Sequence, residues 1–586
     1  MSCLLCVCLS NAHAYAAAVT IEQAESGHTL MVDEQPYAIK GAGGDASKKL
    51  LADAGGNTFR TWGVGDDTQA KLDEAQRLGL KVVLGIWLEH ERHGFDYNDA
   101  DRVAAQYEKV RTSVERFKDH PALLMWALGN EMEGYEAGDN AAIWSHLQAC
   151  AALVKRLDPH HPTMTVIAEI GGQRVQNIHR LCPDIDVIGI NTYAGVMSIP
   201  QRYREAGGTK PYIVTEFGPP GTWEVEKNSF GAIEEPTSTL KAKTYAKAYQ
   251  TLAEDPLCLG SFAFTWGFKQ EATATWFGMF ASDGSKTAAV DAMTEAWSGN
   301  KPDNLCPAIE PLTVSAESVN PGGTIDVTLT ASDPEGDALK TTWRLYAEAG
   351  EYFTGGDYQA TPKQFPDAIS EATNTHATLT MPAEPGVYRV YAFVKDGNGG
   401  SAMANHPLLV KGEAKGPKGL AGNLPFVIYG DEKADPNYAP SGYMGDFDFV
   451  KMDENSRINP HTGETCLRVS FEKNSGWGGV VWQHPANDWG DLPGGFDLSD
   501  AEQLVFHARG ANGGEKVNFG FGTLGADTKF ADSAGTTTAI TLTDEWKQYR
   551  IDLEGKDLSR IKTGFLWSAG AQGDNLTFFL DEIRYE

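Results

Sequence analysis

Between Val32 and about Gly299 the hydrophobic positions fall into two alternating textures. Short apolar runs at Tyr37–Lys40, Thr58–Thr61, Lys81–Trp87, Leu123–Leu128, Thr163–Ala168, Val187–Asn191, Tyr212–Thr215 and Gly260–Thr265 read as buried strands. Between them, Asp67–Leu78, Ala141–Leu157 and Thr239–Ala253 repeat apolar residues at helical spacing. Asp99 stands where it can cap a further helix running through Phe117. Strands alternating with helices eight times over roughly 260 residues predict a closed (β/α)8 barrel. A doubly wound open sheet shares the alternation, but no glycine-rich phosphate loop follows the first strand.

Near Asn300 the period changes. The segment KPDNLCPAIEPL is polar and proline-rich, a linker. Thr324–Thr330, Lys340–Tyr346, His376–Met381 and Gly386–Lys395 then alternate with period two, separated by turns such as DPEGD and DGNGG. They predict an immunoglobulin-like β-sandwich over 300–411, expected to act as a spacer. A second linker, KGEAKGPKG, follows, and 412–586 again reads as short strands rich in aromatics, a jelly-roll sandwich. The barrel itself is expected over 15–299.

The opening MSCLLCVCLSNAHA ends in an A-x-A-like site at Ala12–Ala14, so residues 1–14 read as a signal peptide, although a positive n-region is missing. The expected location is therefore secreted, periplasmic or at the cell surface. No later run approaches the roughly 20 apolar residues of a membrane helix. With Cys3, Cys6 and Cys8 leaving in the leader, Cys150, Cys182, Cys258, Cys306 and Cys466 remain, widely spaced and without a CxxC pair. That excludes a zinc finger and a dense disulfide framework, and predicts small buried side chains.

Charge narrows the partners. The chain carries 49 basic and 79 acidic residues, a net charge of −30, which repels nucleic acid and anionic membrane and disfavours a polyanionic substrate. At 41% hydrophobic and 22% charged the composition is globular. A monomer is expected.

Barrel enzymes place their chemistry on the loops after the strand C-termini. The fourth strand ends in WALGNE, with Asn130 and Glu131 at its mouth, and the seventh in IVTEFG, with Glu216 there. Paired carboxylates facing one funnel suit glycoside hydrolysis; about 5–5.5 Å between them gives retention and about 6.5–9.5 Å inversion. A single glutamate at a strand end says little in a chain with 79 acidic residues; the pair says more.

On these motifs residues 32–299 resemble the β-retaining glycoside hydrolases with (β/α)8 barrels, whose acid/base follows an asparagine on strand four and whose nucleophile ends strand seven, with families 2 and 5 nearest in tone. The resemblance implies that Glu131 is the acid/base, Glu216 the nucleophile and Asn130 the partner of the sugar 2-hydroxyl. It also implies that Arg60 in FRTW keeps the nucleophile ionised and that Tyr193 in INTY orients it. Trp266 in FTWG would be the stacking floor for the sugar. His90, in LEHERHGFD, is expected at the sugar-binding rim; His90, Glu91 and His93 lack the HExxH spacing of a metal motif. Trp223 and Trp276 are candidate walls of further subsites. The sequence departs from its relatives at LEHERHGFD and at the first strand end, GAGGD, both of which shape the cleft.

The last segment, with SGWGGVVWQ and the closing FFLDEIRYE, resembles jelly-roll carbohydrate-binding modules. That implies sugar contacts from among Trp477, Trp482 and Trp489, and a structural calcium at Asp581, with Asp431 a looser candidate ligand. The segment ASDPEGDAL resembles a turn of bacterial immunoglobulin-like spacers. The expected function is a secreted retaining β-glycosidase acting on a neutral β-linked glucan, with no cofactor needed for catalysis. The alternatives are a transglycosylase using the same site, a non-catalytic carbohydrate-binding protein, or a structural or adhesive surface protein.

Overall fold

The computed structural model describes residues 18–25, 27–134, 138–412, 419–430, 437–525, 528–573 and 575–586. The expected signal peptide, 1–14, and Asp431 lie outside the described residues. The chain forms two compact units, one running to Gly412 and the other starting at Glu413.

In the first unit eight parallel strands close into a barrel: β1 (Ile39–Gly43), β2 (Thr58–Arg60), β3 (Lys81–Ile86), β4 (Leu123–Asn130), β5 (Thr163–Ala168), β6 (Val187–Asn191), β7 (Tyr212–Phe217) and β8 (Cys258–Phe264), with β8 pairing β1. Helices α1 (Lys48–Asp53), α2 (Thr68–Leu78), α3 (Ala100–Phe117), α4 (Ala141–Leu157), α5 (Arg174–Leu181), α6 (Ile199–Glu205), α7 (Ser238–Ala253) and α8 (Ala288–Ser298) alternate with them. The strands are mostly apolar because both of their faces are buried, and the polar residues Arg60, Asn130, Asn191 and Glu216 stand at or beside their C-terminal ends. Val83, Met125, Ala127, Met164, Val166 and Phe262 fill the barrel interior. Their neighbours Val82, Leu84, Trp126, Leu128, Ile167 and Ala263 pack outward with the helices.

Local chemistry sets the helix starts. Asp99 caps α3 by accepting from the Asp101 and Arg102 amides, Asn140 caps α4 through the Ala142 amide, and the Thr237 side chain caps α7. β1 reaches further into GAGGD than its apolar pattern predicts. A Cβ on Gly41 would meet the Phe262 ring at 2.4 Å, and one on Gly43 would meet Trp62 at 2.8 Å, so glycine is what lets this strand close the barrel.

A β-sandwich completes this unit. One sheet holds β9 (Lys340–Ala347), β10 (Gly386–Lys395) and β11 (Gly400–Val410), and the other is built on Thr324–Thr328 and His376–Thr380. The sandwich is locked to the barrel. Lys286–Thr287, just before α8, pairs in parallel with Gly400–Ser401 at the start of β11. Buried Glu235 accepts from Thr273 Oγ1 (2.6 Å), Thr275 Oγ1 (2.7 Å) and Asn405 Nδ2 (2.6 Å) and pairs with Lys241, while Arg389 donates to the Ile233 carbonyl at 2.8 Å. Burying that many polar groups is tolerated because each finds a partner.

The second unit is a jelly-roll sandwich of two antiparallel sheets. One centres on Cys466–Phe471, Leu576–Tyr585 and Gln503–Gly510, the other on Trp477–Gln483, Thr563–Gly570 and Lys516–Phe521. Alternation puts Trp477 and Trp482 on opposite faces of their strand: Trp477 is half exposed, but Trp482 is buried edge-on against Phe565. Trp482 is thus a core side chain and offers no plane to a sugar. Trp477 and Trp489 remain at the surface. Asp581 does not fit a calcium site either. It is buried, and its oxygens accept backbone N–H groups from His461 (3.0 Å), Thr462 (3.3 Å) and Glu582 (2.9 Å). A cation needs oxygen donors, and the shell around Asp581 consists of N–H groups instead.

The five cysteines among the described residues are free thiols, four of them buried and Cys258 partly so. Among the described residues no helix is long and apolar enough to cross a membrane, and no group of His, Cys, Asp and Glu is placed to hold a metal ion.

Candidate active site

The C-terminal ends of the barrel strands open into a cleft of about 690 Å³, within the usual range for small-ligand sites. Both predicted carboxylates line it, and their surroundings differ sharply.

Glu216, at the end of β7, accepts from Arg60 Nη1 at 3.1 Å and Trp62 Nε1 at 2.9 Å on Oε1, and from the Tyr193 hydroxyl at 2.7 Å on Oε2. Donors converge on both oxygens, the environment of a carboxylate with fixed orientation. Desolvation and the neighbouring carboxylates push the Tyr193 phenol far up, so it stays a neutral donor. The Arg60 guanidinium is buried beneath the site and faces the ring of Trp62 at 4.8 Å.

Arg60 also reaches Asn130 Oδ1 (2.9 Å), Asn191 Oδ1 (3.3 Å) and the Thr215 carbonyl (3.0 Å). These bonds fix the amide of Asn191 at the end of β6. With its oxygen facing Arg60 and Thr215 Oγ1, its nitrogen donates to Asn130 Oδ1 at 3.2 Å and to Glu131 Oε1 at 2.6 Å. One cation thereby organises both carboxylates through a chain of amides.

Glu131 follows β4 with φ +54°, in the left-handed region that a side chain rarely adopts, after Gly129 at +73°. A Cβ on Gly129 would lie 2.2 Å from Met132 Sδ, so the turn that aims Glu131 into the cleft requires glycine there. Strain of this kind costs on the order of 1–3 kcal/mol and is characteristic of functional positions. Burial, and secondarily the charge of Glu216, raises the Glu131 carboxyl to about 8. At neutral pH the Glu131 carboxyl is therefore protonated.

His90 is buried at the cleft edge, stacked on Trp87 at 4.7 Å and on His93 at 5.3 Å, with Nδ1 accepting from Arg92 Nε. Burial and then the Arg92 charge depress it to about 4, so it is a neutral imidazole. Glu91 is taken up by Asn140 Nδ2 and His93 by Asp357, which disperses the apparent metal-ligand cluster.

Two aromatic expectations change. Trp266 is buried between the barrel and α8, against Phe280 (5.1 Å) and Trp297 (5.9 Å), with its indole N–H on the Ser47 carbonyl. It does not line the cleft; Phe264, the last residue of β8, does. The chain bends after β8, and the Trp266 amide donates to the Gly43 carbonyl at 2.7 Å, which turns the side chain outward. Trp276 is likewise buried, with its N–H on the Pro220 carbonyl, and plugs its loop. Trp223 stands at the cleft, edge-on to Tyr193 at 5.6 Å.

Sequence reasoning missed Trp62, Asn191 and Phe264. All sit at strand ends in phase with an assigned or inward residue: Trp62 two beyond Arg60, Asn191 two before Tyr193, Phe264 two beyond Phe262. Period two was the available signal.

Residues 71–253 match the family described as Glycosyl hydrolases family 2, TIM barrel domain. A β-glucuronidase of Streptococcus agalactiae serotype V is 26% identical over 216 residues, covering 30% of this chain and 34% of that protein. The chain thus spans about a third of the length of the curated relative it matches. Among solved structures, the β-D-glucuronidase of Dictyoglomus thermophilum shares 20% identity over 49% of this chain and 54% of its own, with TM-score 0.38. The Bacteroides uniformis β-glucuronidase 2 shares 12% over 96% and 67%, with TM-score 0.39.

Proposed function

We propose that the protein is a retaining β-glycoside hydrolase. The observation that carries this reading is the asymmetric pair: a half-buried, protonated Glu131 and a Glu216 gripped by Arg60, Trp62 and Tyr193 in one cleft. Glu216 attacks the anomeric carbon, and Glu131 gives its proton to the leaving glycosidic oxygen. As that proton leaves, Asn191 bonds the new carboxylate. Glu131 then takes a proton from water, which attacks the glycosyl-enzyme and restores the original configuration. Asn130, its oxygen occupied by Arg60 and Asn191, turns its amide N–H groups to the sugar 2-hydroxyl, and Phe264 supplies the apolar floor.

A neutral sugar is favoured by the charges around the cleft. Each Arg or Lys lining it faces a carboxylate: Arg92 with Asp357 (2.9 Å), Arg174 with Glu133 (3.0 Å) and Lys269 with Glu271 (2.8 Å). Asp45 and Glu224 line it as well, whereas Glu169 is paired with Arg202 (3.0 Å), so a uronate would meet an excess of negative charge. The printed names of the relatives favour the second reading, a β-glucuronide. Comparing kcat/KM for 4-nitrophenyl β-D-glucoside, mannoside and glucuronide separates the two. The expected result is at least a tenfold preference for a neutral glycoside, and a faster glucuronide would overturn the neutral reading while leaving the mechanism standing.

A further inference from the structure

The sandwich that follows the barrel contributes to the cleft. Residues 351–359, which follow β9, extend to the mouth of the barrel, and Phe353, Gly355, Gly356 and Asp357 form part of the cleft wall. The segment is held at several independent points. Asp357 accepts from Arg92 Nη1 at 2.9 Å, Thr354 Oγ1 donates to Glu271 Oε1 at 2.8 Å, and Gln359 Oε1 accepts the Ala272 amide at 2.6 Å. Thr222 donates to the Tyr352 carbonyl. These partners lie on the loops that follow β3, β7 and β8, so the wall is fixed to the same loops that surround the two carboxylates.

Phe353 meets Trp223 edge to face, with ring centroids 5.5 Å apart and planes at 74°. The two rings form a corner, and they stay 40% and 45% exposed, respectively, in a chain whose core aromatics are otherwise buried. Trp223 leans in turn on Tyr193, the donor to Glu216. The corner therefore lies one aromatic contact from Tyr193 and one hydrogen bond further from Glu216. An exposed aromatic corner with charged groups close by, Asp357 and Lys269, suits a pyranose: its C–H face packs on a ring while its hydroxyls reach the polar neighbours.

We infer that Phe353 and Trp223 form a subsite for a second sugar ring, so that the sandwich domain makes this enzyme selective for oligosaccharides over simple glycosides. The inference rests on the glycosidase reading. Binding energy gathered at this subsite, away from the bond that breaks, holds the chain in register for attack. The wall is pre-organised, because its anchors are made before substrate arrives.

The test compares kcat/KM for 4-nitrophenyl β-D-glucoside with that for β-1,3-, β-1,4- and β-1,6-linked glucotetraoses and mannotetraose, taking whichever tetraose the wild type cleaves fastest. In Phe353→Ala the ratio of tetraose to monoglycoside is expected to fall at least tenfold, mainly through KM for the tetraose. Phe353→Leu keeps apolar volume but not the ring face, and is expected to fall in the same direction, which guards against a variant that merely unfolds. Calorimetry of the same tetraose binding to Glu216→Gln, with and without Phe353→Ala, should show the matching loss of affinity. A ratio unchanged in both folded Phe353 variants overturns the subsite and leaves the glycosidase reading intact. A wild-type protein that cleaves no glycoside at all overturns both.

Discussion

Glu216→Ala is expected to lose on the order of 10⁴-fold or more in kcat, because among the described residues no other carboxylate in the cleft is gripped by Arg60, Trp62 and Tyr193 together. The loss should be reversible in a diagnostic way. Truncation leaves a hole beside the anomeric carbon that a small anion such as azide fits, with Arg60 still present to attract it. Azide then attacks a β-glycoside bearing an activated leaving group, and the product is the α-glycosyl azide, inverted relative to substrate. Recovery of turnover with that product, followed by proton NMR, places the nucleophile at Glu216. Retention of more than about a tenth of wild-type turnover would remove Glu216 from that role.

The second large effect concerns Glu131 and has a pH signature. Its carboxyl is raised to about 8, first by burial and then by the charge of Glu216. It is therefore protonated over the neutral range and loses its proton as pH passes 8. For glycosides with poor leaving groups, kcat/KM should be sustained up to about pH 8 and fall above it, tenfold per unit once the acid is spent. Glu131→Ala removes that limb and lowers kcat/KM by roughly 10²–10⁴-fold for alkyl glycosides. For 2,4-dinitrophenyl glycosides, whose leaving group departs without protonation, the loss in the first step should be far smaller. Equal losses across leaving groups would show that Glu131 acts through structure rather than as the acid.

The barrel was legible because its signal is redundant. Eight apolar runs alternate with capped amphipathic helices, and Glu131 and Glu216 fall at strand ends, where a parallel barrel displays its side chains to the cleft. The glycine-rich end of β1 was less legible: Gly41 and Gly43 are set by how closely Phe262 and Trp62 approach, which hydropathy does not record. Trp266 and Phe264 illustrate a related cause. Residue type favoured tryptophan, but the bend after β8 decides which side chain reaches the cleft, and period two from Phe262 indicates Phe264. Trp482 follows the same rule, since its parity with Trp477 forces one of the two inward.

What sequence could not supply was contact across long separations. Asn191 joins Arg60 to Glu131 in a relay of side chains drawn from β2, β4 and β6, and no local pattern marks such a relay. The segment 351–359 reads as an ordinary loop of an immunoglobulin-like sandwich. Its place in the cleft depends on Arg92 and Glu271, about 260 and 80 residues away in the chain, meeting Asp357 and Thr354.

The central claim, that Glu216 forms a covalent glycosyl-enzyme, is tested most directly by trapping it. A 2-deoxy-2-fluoro-β-glycosyl fluoride of the preferred sugar slows both steps but keeps a good leaving group, so a retaining enzyme accumulates the intermediate. Peptide mass spectrometry of the inactivated protein is expected to find one glycosyl adduct, on Glu216. An adduct on any other residue, or steady turnover of the normal glycoside to the inverted anomer with no adduct, would contradict the account.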